Sequence, residues 1–166
     1  VNGDGRDDMV MGAQAADNNS RSNSGSVYVY FGRASGWSAT PYNMATTTHF
    51  NGTNGVRLDG AAATDTLGMS VPAGDFNGDN REDIAMGAPA ADPSSRTNAG
   101  SVYVYFGRGS GWSATPLDLS SSTHWNGTNG VRFDSEAGGD ALGNTSLAAG
   151  DFTGDGRDDL AMGAPG

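Results

Sequence analysis

The chain repeats itself with a period of 75 residues. When its 166 residues are shifted by that distance, 44 of the first 68 positions are identical to those they meet. After Gly143 the offset becomes 76, and the pattern continues to Pro165. A period of this length is typical of proteins in which one supersecondary unit is copied and stacked. The repeats predicted from this pattern comprise residues 1–75, 76–150 and, as the beginning of a third, 151–166.

Each repeat contains four short stretches with the composition of β-strands. In the second repeat these are Met69–Ala73, Asp83–Gly87, Ser101–Phe106 and Gly130–Asp134. None of them shows the 3.6-residue periodicity of a helix, and the 27 glycines lie mainly between them, as turns require. Two tandem β-sandwich domains are the alternative, but 75 residues are few for a sandwich. We therefore predict an all-β protein of β-propeller blades, each with four antiparallel strands.

The charge of the chain limits the partners that it can have. Its formal net charge is −10, its pI is near 4.2, and all nine basic residues are arginines. Nucleic acids and anionic membranes attract clustered basic residues, so neither is an expected partner. No apolar stretch is long enough to cross a membrane, which argues against membrane insertion. Cations are the natural counterparts of such an acidic chain.

An acidic loop follows the first strand of the second repeat. Asp75, Asn77, Asp79 and Asp83 occupy loop positions 1, 3, 5 and 9, and Arg81 at position 7 can offer its backbone carbonyl. A Ca²⁺ ion takes about six to eight oxygen ligands, which alternate residues of a tight loop can supply. An EF-hand is excluded because position 12 is a methionine rather than a glutamate. The loop therefore predicts a calcium site between two strands.

Two sister loops recur at the same place in the other repeats. One keeps three aspartates but has a threonine at position 3, which weakens the expected site, and the other lacks position 1. The alternative is that all three loops are Asx-turns whose side chains bond only to local backbone. Mutual repulsion of converging carboxylates favours the cation instead. The additional predicted metal ligands are Asn2, Asp4, Arg6, Asp8, Asp151, Thr153, Asp155, Arg157 and Asp159.

The motifs between these loops resemble the FG-GAP repeats of the integrin α-subunit propeller and their bacterial secreted relatives. Phe31-Gly32 and Phe106-Gly107 match the FG element, and Gly87-Ala88-Pro89 and Gly163-Ala164-Pro165 match the GAP element. The first repeat departs from the pattern, with Gly12-Ala13-Gln14 in place of GAP. The resemblance covers essentially the whole chain.

This resemblance implies a secreted or extracellular module that binds Ca²⁺ and a protein or glycan ligand, as in cell adhesion. It also implies that the strands before the acidic loops are innermost and that four loops share the face opposite the calcium sites. That predicted partner surface, the loop face, comprises residues 15–24, 59–66, 90–99 and 134–141.

The chain contains about two and a quarter blades, whereas propellers have roughly four to eight. Either it forms part of a longer propeller or copies associate as a homo-oligomer to complete one. We expect no enzymatic activity, because there is no cysteine, only two histidines and no serine in a nucleophile-elbow context. Two alternatives stay open, a non-catalytic or channel-lining part of a secreted propeller hydrolase or lyase, and a purely structural spacer.

Aromatic residues recur beside the histidines of the long connections. His49-Phe50 and His124-Trp125 precede the same Asn-Gly-Thr-Asn-Gly segment. Such aromatics could stack on a sugar ring, but a repeated aromatic in a long loop more often packs that loop onto its own blade. We expect packing.

Overall fold

The chain forms β-sheets and almost no helix. The structure is a computed structural model that describes residues 1–46 and 48–166. Its helices within that range are two single 3₁₀ turns, at Pro93–Ser95 and Ser122–His124. The strands are β1 (Met9–Ala13), β2 (Ser26–Tyr30), β3 (Gly55–Asp59), β4 (Ala73–Gly74), β5 (Asp83–Ala88), β6 (Ser101–Tyr105), β7 (Leu117–Asp118), β8 (Gly130–Asp134), β9 (Leu147–Gly150) and β10 (Asp159–Met162).

These strands form successive propeller blades, as predicted. The first blade is the sheet β1-β2-β3, extended by β7, and the second blade is the sheet β4-β5-β6-β8. The third blade is represented by β9 paired with β10. Neighbouring strands within each repeat are antiparallel, and the same register recurs: Val29 faces Val56 in the first blade, and Val104 faces Val131 in the second.

Most strand predictions for the second blade are confirmed to within one residue, but the prediction for its first strand is wrong. Only Ala73–Gly74 forms a ladder there, not Met69–Ala73. The carbonyls of Ser70 and Pro72 accept hydrogen bonds from Gly87 and Ala85, both at 2.9 Å. Pro72 has no amide hydrogen to return the bond to β5, so the pairing is one-sided over this stretch.

Strand β7 was not predicted, and it joins two blades. It lies in the long connection of the second repeat but pairs in parallel with β3 of the first, so that Leu117 faces Leu58 and Asp118 faces Asp59. The amide of Leu119 continues this pairing with a 3.0 Å bond to the Asp59 carbonyl. The first blade therefore has a fifth, borrowed edge segment relative to the prediction of four antiparallel strands per repeat.

The main core lies between the first two blades. Alternation along β2 and β3 points Val27, Val29, Val56 and Leu58 inward, and all four are fully buried. They belong to one hydrophobic cluster with Ile84 and Met86 of β5 and with Leu119 from the connection after β7. Blades that bury their faces against each other in this way obtain their stability from stacking.

The aromatics beside the histidines pack onto their own blades, as expected. Phe50 is buried and its ring lies 5.0 Å from that of Tyr28 on β2. Trp125 is half-buried, with its ring 4.8 Å from that of Tyr103 on β6. Both rings hold a long connection against its sheet, which leaves little of Phe50 for a sugar to contact.

Within residues 1–46 and 48–166, no helix has the length and apolar character that crossing a membrane would require.

Candidate metal centres

Three acidic loops occupy corresponding places in the successive blades. Loop 1 comprises residues 1–8 and leads into β1, loop 2 comprises residues 75–83 between β4 and β5, and loop 3 comprises residues 151–159 between β9 and β10. Each loop therefore connects to the second strand of its blade, and the predicted ligands share a common backbone frame.

The carboxylate at position 1 organises the backbone of loop 2. Asp75 accepts hydrogen bonds from the amides of Gly78, Asp79 and Asn80, at 2.8, 3.0 and 2.7 Å. Asn80 has φ +64°, the left-handed conformation that asparagine tolerates better than most residues. The tight turn predicted from the sequence is therefore present, and one side chain holds it closed.

The next two predicted ligands of loop 2 form a ladder of local bonds. The Asn77 side-chain oxygen accepts from the Asp79 amide at 2.9 Å, and the Asp79 carboxylate accepts from the Arg81 amide at 2.9 Å. Both side chains are exposed at the surface of the loop. The Arg81 guanidinium turns back to Asp79, with 3.5 Å between Nη1 and Oδ2.

The closing carboxylate of loop 2 is the most buried predicted ligand. Asp83 is fully buried and accepts hydrogen bonds from the amides of Gly107 at 2.8 Å and Phe76 at 3.1 Å. Burial raises the pKa of Asp83 to about 6, these two amides lower it, and the charges of Asp79 and Asp75 raise it further. A buried carboxylate of this kind gains from a nearby cation, which favours its ionised form.

Loops 1 and 3 repeat this network where their sequences allow. Asp151 accepts from the amides at positions 4, 5 and 6 of loop 3, and Asp155 accepts from Arg157. Asp159 accepts from Phe152 and Thr153, at 2.8 and 2.9 Å. In loop 1 the same ladder runs through Asn2, Asp4, Arg6 and Asp8, and the Val1 amino group forms an ion pair with Asp8 at 2.8 Å.

The loops hold their acidic side chains in one neighbourhood without drawing them into a tight cluster. Among the residues that the structure describes, no three histidine, cysteine, aspartate or glutamate side chains converge closely enough to hold a metal ion. Their oxygens instead accept hydrogen bonds from loop amides, as the Asx-turn alternative requires. These bonds leave carboxylate lone pairs free, because each carboxylate oxygen can accept more than one bond.

The donor set of the loops matches the chemistry of Ca²⁺. Loop 2 offers three carboxylates, one amide oxygen and the Arg81 carbonyl, all hard oxygen ligands, and contains no sulfur or imidazole. Loop 3 substitutes the hydroxyl of Thr153 for the amide oxygen. Asp75, Asn77, Asp79, Arg81 and Asp83 would hold an ion in loop 2, whose charge would offset the repulsion among the carboxylates.

The FG glycines take part in these loops, which was not predicted. The Gly32 amide donates to Asp8 at 2.8 Å, as the Gly107 amide does to Asp83. A Cβ atom on Gly107 would lie 2.5 Å from the Glu82 carbonyl oxygen, so only glycine brings its amide this close. The repetition of Phe-Gly 24 residues after each closing aspartate was the available signal.

Two further contacts between loops were also missed. The Asp158 carboxylate accepts from the Asp75 amide at 2.9 Å, and its own amide donates to the Asp75 carbonyl at 3.1 Å. The Arg81 side chain packs over Gly3 of loop 1, and Arg157 packs over Gly78 of loop 2. An arginine at position 7 and an acid at position 8 in all three loops were the corresponding sequence signals.

The loop face is held in an unusual backbone conformation. Within the described chain, nine of the ten non-glycine residues with positive φ lie in its four loops. Asn19 and Ser94 hold matching positions in two repeats, with φ of 49° and 53°. A groove of about 200 Å³ opens here between the first two blades, with Asp65, Asp92 and Arg132 among its lining residues. Such conformations persist only where surrounding structure enforces them, and they occur often at binding sites.

Comparison with known proteins agrees with this architecture. The FG-GAP repeat model matches residues 1–30, 67–105 and 143–166, which is more than half of the chain. The chain belongs to the FG-GAP repeat family. This FG-GAP chain is 33% identical over 165 residues to phosphatidylinositol-glycan-specific phospholipase D of Bos taurus, covering 99% of the chain but 17% of that enzyme. It is also 33% identical over 112 residues to human integrin alpha-7, covering 66% of the chain and 8% of the integrin.

Proposed function

We propose that this FG-GAP chain is a calcium-stabilised, non-catalytic propeller module that presents its loop face to a protein or glycan partner outside the cell. The repeated hydrogen-bond network of the three acidic loops is the observation that carries the proposal. It keeps oxygen ligands at the same positions in each blade, where separate solvated turns would have no reason to match. Residues 1–75, 76–150 and 151–166 are the repeats of this module.

Calcium binding is tested by calorimetric titration and by thermal unfolding with calcium or excess chelator. We expect two to three ions per chain and a sharp fall in melting temperature on chelation. Asp79→Asn should weaken binding at loop 2 by about tenfold or more, because calcium affinity depends on ligand charge. Glu82→Gln is the matched control, since it removes the same charge from the same loop outside the predicted ligands. Absence of both binding heat and stabilisation would refute the proposal.

Partner binding is tested with a glycan array and with pull-down from extracellular material. The groove between the first two blades guides the variant, because it combines charged groups of both signs with the Tyr103 ring. Asp92→Ala should weaken binding of any ligand found. Asp17→Ala is the control, because Asp17 occupies the corresponding position in the first repeat and makes the same bond to a backbone amide. A spacer function would give no ligand in either screen.

The similarity to a phospholipase D favours a second setting, in which the module is a non-catalytic part of a larger secreted enzyme. The chain spans 17% of that relative, so the phospholipase activity named for the relative need not lie in the shared part. We expect the purified chain to leave glycosylphosphatidylinositol substrates intact. Hydrolysis by the chain alone would contradict a non-catalytic role.

A further inference from the structure

Strands β3 and β8 hold the same position in consecutive blades but are covered very differently. Their sequences are Gly-Val-Arg-Leu-Asp and Gly-Val-Arg-Phe-Asp. On β3, Leu58 is fully buried, whereas Phe133 at the matching position of β8 is 42% exposed. Asp59 is likewise buried, and Asp134 is exposed. The difference must come from what packs on each strand, because the strands themselves are nearly identical.

The long connection of the second repeat covers β3. Its β7 segment pairs with the edge of β3, and Leu117 and Leu119 join the core between the blades. Trp112 precedes them and packs on Phe31, with ring centroids 5.4 Å apart. One extended segment thus supplies backbone pairing, two leucines and an indole ring to the outer part of the first blade.

A charged contact fixes the same segment. Arg21 Nη1 donates to the Asp118 carboxylate at 3.0 Å and to the Gly60 carbonyl at 2.6 Å, and its Nη2 forms an ion pair with the same carboxylate. Arg96 stands at the corresponding position of the second repeat. Within the described part of the chain it makes no ion pair, and its buried Nε has no hydrogen-bond partner. The second blade thus has the arginine without the carboxylate.

The second blade also has the apolar groove without its filling. Phe76, Phe106, Val131 and Phe133 line a groove of about 440 Å³ beside β8. Their counterparts in the first blade are Val1, Phe31, Val56 and Leu58, which all belong to the buried core. An open strand edge, an apolar groove and a buried unpaired arginine nitrogen therefore lie side by side on the second blade.

We propose that the edge of β8, this groove and Arg96 form a docking surface for an extended acidic segment of a neighbouring repeat outside this chain. The segment pairs in parallel with β8, places a tryptophan and leucines in the groove and brings an aspartate to Arg96. Its chemistry is that of Trp112 followed by Leu117-Asp118-Leu119. Strand addition of this kind takes its affinity from backbone bonds and its specificity from side-chain pockets.

Charge complementarity selects this occupant over a second copy of the chain. The matching connection of the first repeat carries Trp37 and then Tyr42-Asn43-Met44. Asn43 would bring a neutral amide to Arg96, whereas Asp118 brings a carboxylate to Arg21. A buried arginine nitrogen gains more from a charged acceptor than from a neutral one.

The test uses the full chain and a fluorescent synthetic peptide of residues 110–121, with binding followed by anisotropy. We expect saturable binding that weakens by about tenfold in Arg96→Gln, because a charge-assisted contact is lost. The Asp118→Asn peptide should weaken to the same extent on the unmodified chain and lose nothing further on Arg96→Gln. Arg33→Gln is the control, since it removes one positive charge from the first blade and should leave affinity unchanged.

Amide chemical shifts then locate the peptide. We expect perturbation at Val131 and Phe133 on β8. Perturbation confined to Val56 and Leu58 would mean exchange with the internal segment on β3 and would overturn the proposal, as would the absence of saturable binding. Self-association that Trp37→Ala abolishes would show that a second copy is the occupant, which also overturns it. None of these results depends on calcium occupancy of the acidic loops, which a separate titration measures.

Discussion

Gly32 and Gly107 lie where a backbone amide must reach a buried carboxylate. Each donates at 2.8 Å to the aspartate that closes an acidic loop, and any side chain would meet the backbone next to that aspartate. The glycine of the FG motif is therefore explained by close approach rather than by turn conformation. It links the end of the third strand of a blade to the loop before its second strand.

Gly107→Ala should destabilise the protein by about 2–4 kcal/mol, because a Cβ atom forces the backbone apart and breaks a bond to a charged group. Gly109→Ala is the matched control, since its Cβ atom would have no neighbour closer than 3.7 Å. Chemical denaturation measures both, and we expect the control to change the free energy of unfolding by about 0.5 kcal/mol or less. Equal stability of the two variants would contradict the role given to Gly107.

Asp65 on the loop face gives the stability a pH dependence. Burial raises its pKa to about 6, against which the Ala62 amide acts, and the Asp92 charge raises it further. An unfolded aspartate has a pKa of about 3.9, so between these values the folded state binds more protons and stability falls as pH rises. Asp65→Asn should reduce this fall, measured by denaturation of calcium-free protein from pH 4 to 7. An unchanged slope would contradict it.

At the scale of elements, the strand borrowed from the next repeat is the main departure from a simple blade. Arg21 holds it by donating to Asp118 and to the carbonyls of Gly60 and Ala61, the latter bonds at 2.6 and 2.5 Å. The connection between strands, which looks like an insertion in sequence, is thus part of the contact between blades.

Arg21→Gln should lower the free energy of unfolding by about 1–2 kcal/mol, because one side chain joins β7 to the loop face of the first blade. Arg96→Gln is the internal control, since it makes the same change where no ion pair forms among the described residues. We expect it to cost about 0.5 kcal/mol or less. Urea denaturation compares the two, and an equal loss from both would contradict the assignment.

How far the elements follow from the sequence depends on how local their causes are. Strands β6 and β8 were predictable because alternating β-branched and aromatic residues determine them within their own repeat. The first strand of the second blade was mispredicted because Pro72 removes one donor, a backbone effect that apolar composition conceals. Strand β7 could not be predicted, since its two residues become a strand only beside Leu58 and Asp59 of another repeat.

The acidic loops were predicted as far as their local pattern reached. The tight turn follows from aspartate and asparagine at alternate positions, and the ladder from Asp75 to Arg81 is local. The bond from Gly107 to Asp83 and the pairing of Asp158 with Asp75 connect residues distant in sequence. Calcium ligation itself stays a prediction.

For the whole molecule, a net charge of −10 is concentrated partly in three loops that lie along successive blades. Asp158 of loop 3 contacts Asp75 of loop 2, so neighbouring loops place carboxylates close together. The arginines at position 7 reach across to the preceding loop and offset some of this repulsion. The remainder should make the metal-free protein sensitive to salt.

Raising NaCl from about 10 to 500 mM should therefore increase the melting temperature of the metal-free protein by a few degrees, since screening reduces repulsion between carboxylates. The calcium-loaded protein should respond less, because the ions already neutralise the loops. Differential scanning calorimetry in both states tests this. Equal salt responses would argue that the acidic loops are not where the repulsion lies.

The borrowed strand also sets an order of events during biosynthesis. The edge of β3 at Leu58 is closed by Leu117, roughly sixty residues further along the chain. At translation rates of about 5–20 residues per second, that edge waits about 3–12 s on the ribosome before its partner exists. During this interval the first blade exposes an unpaired, aggregation-prone edge. Each blade thus matures only after most of the next has been synthesised, and nascent repeats depend on their successors rather than their predecessors.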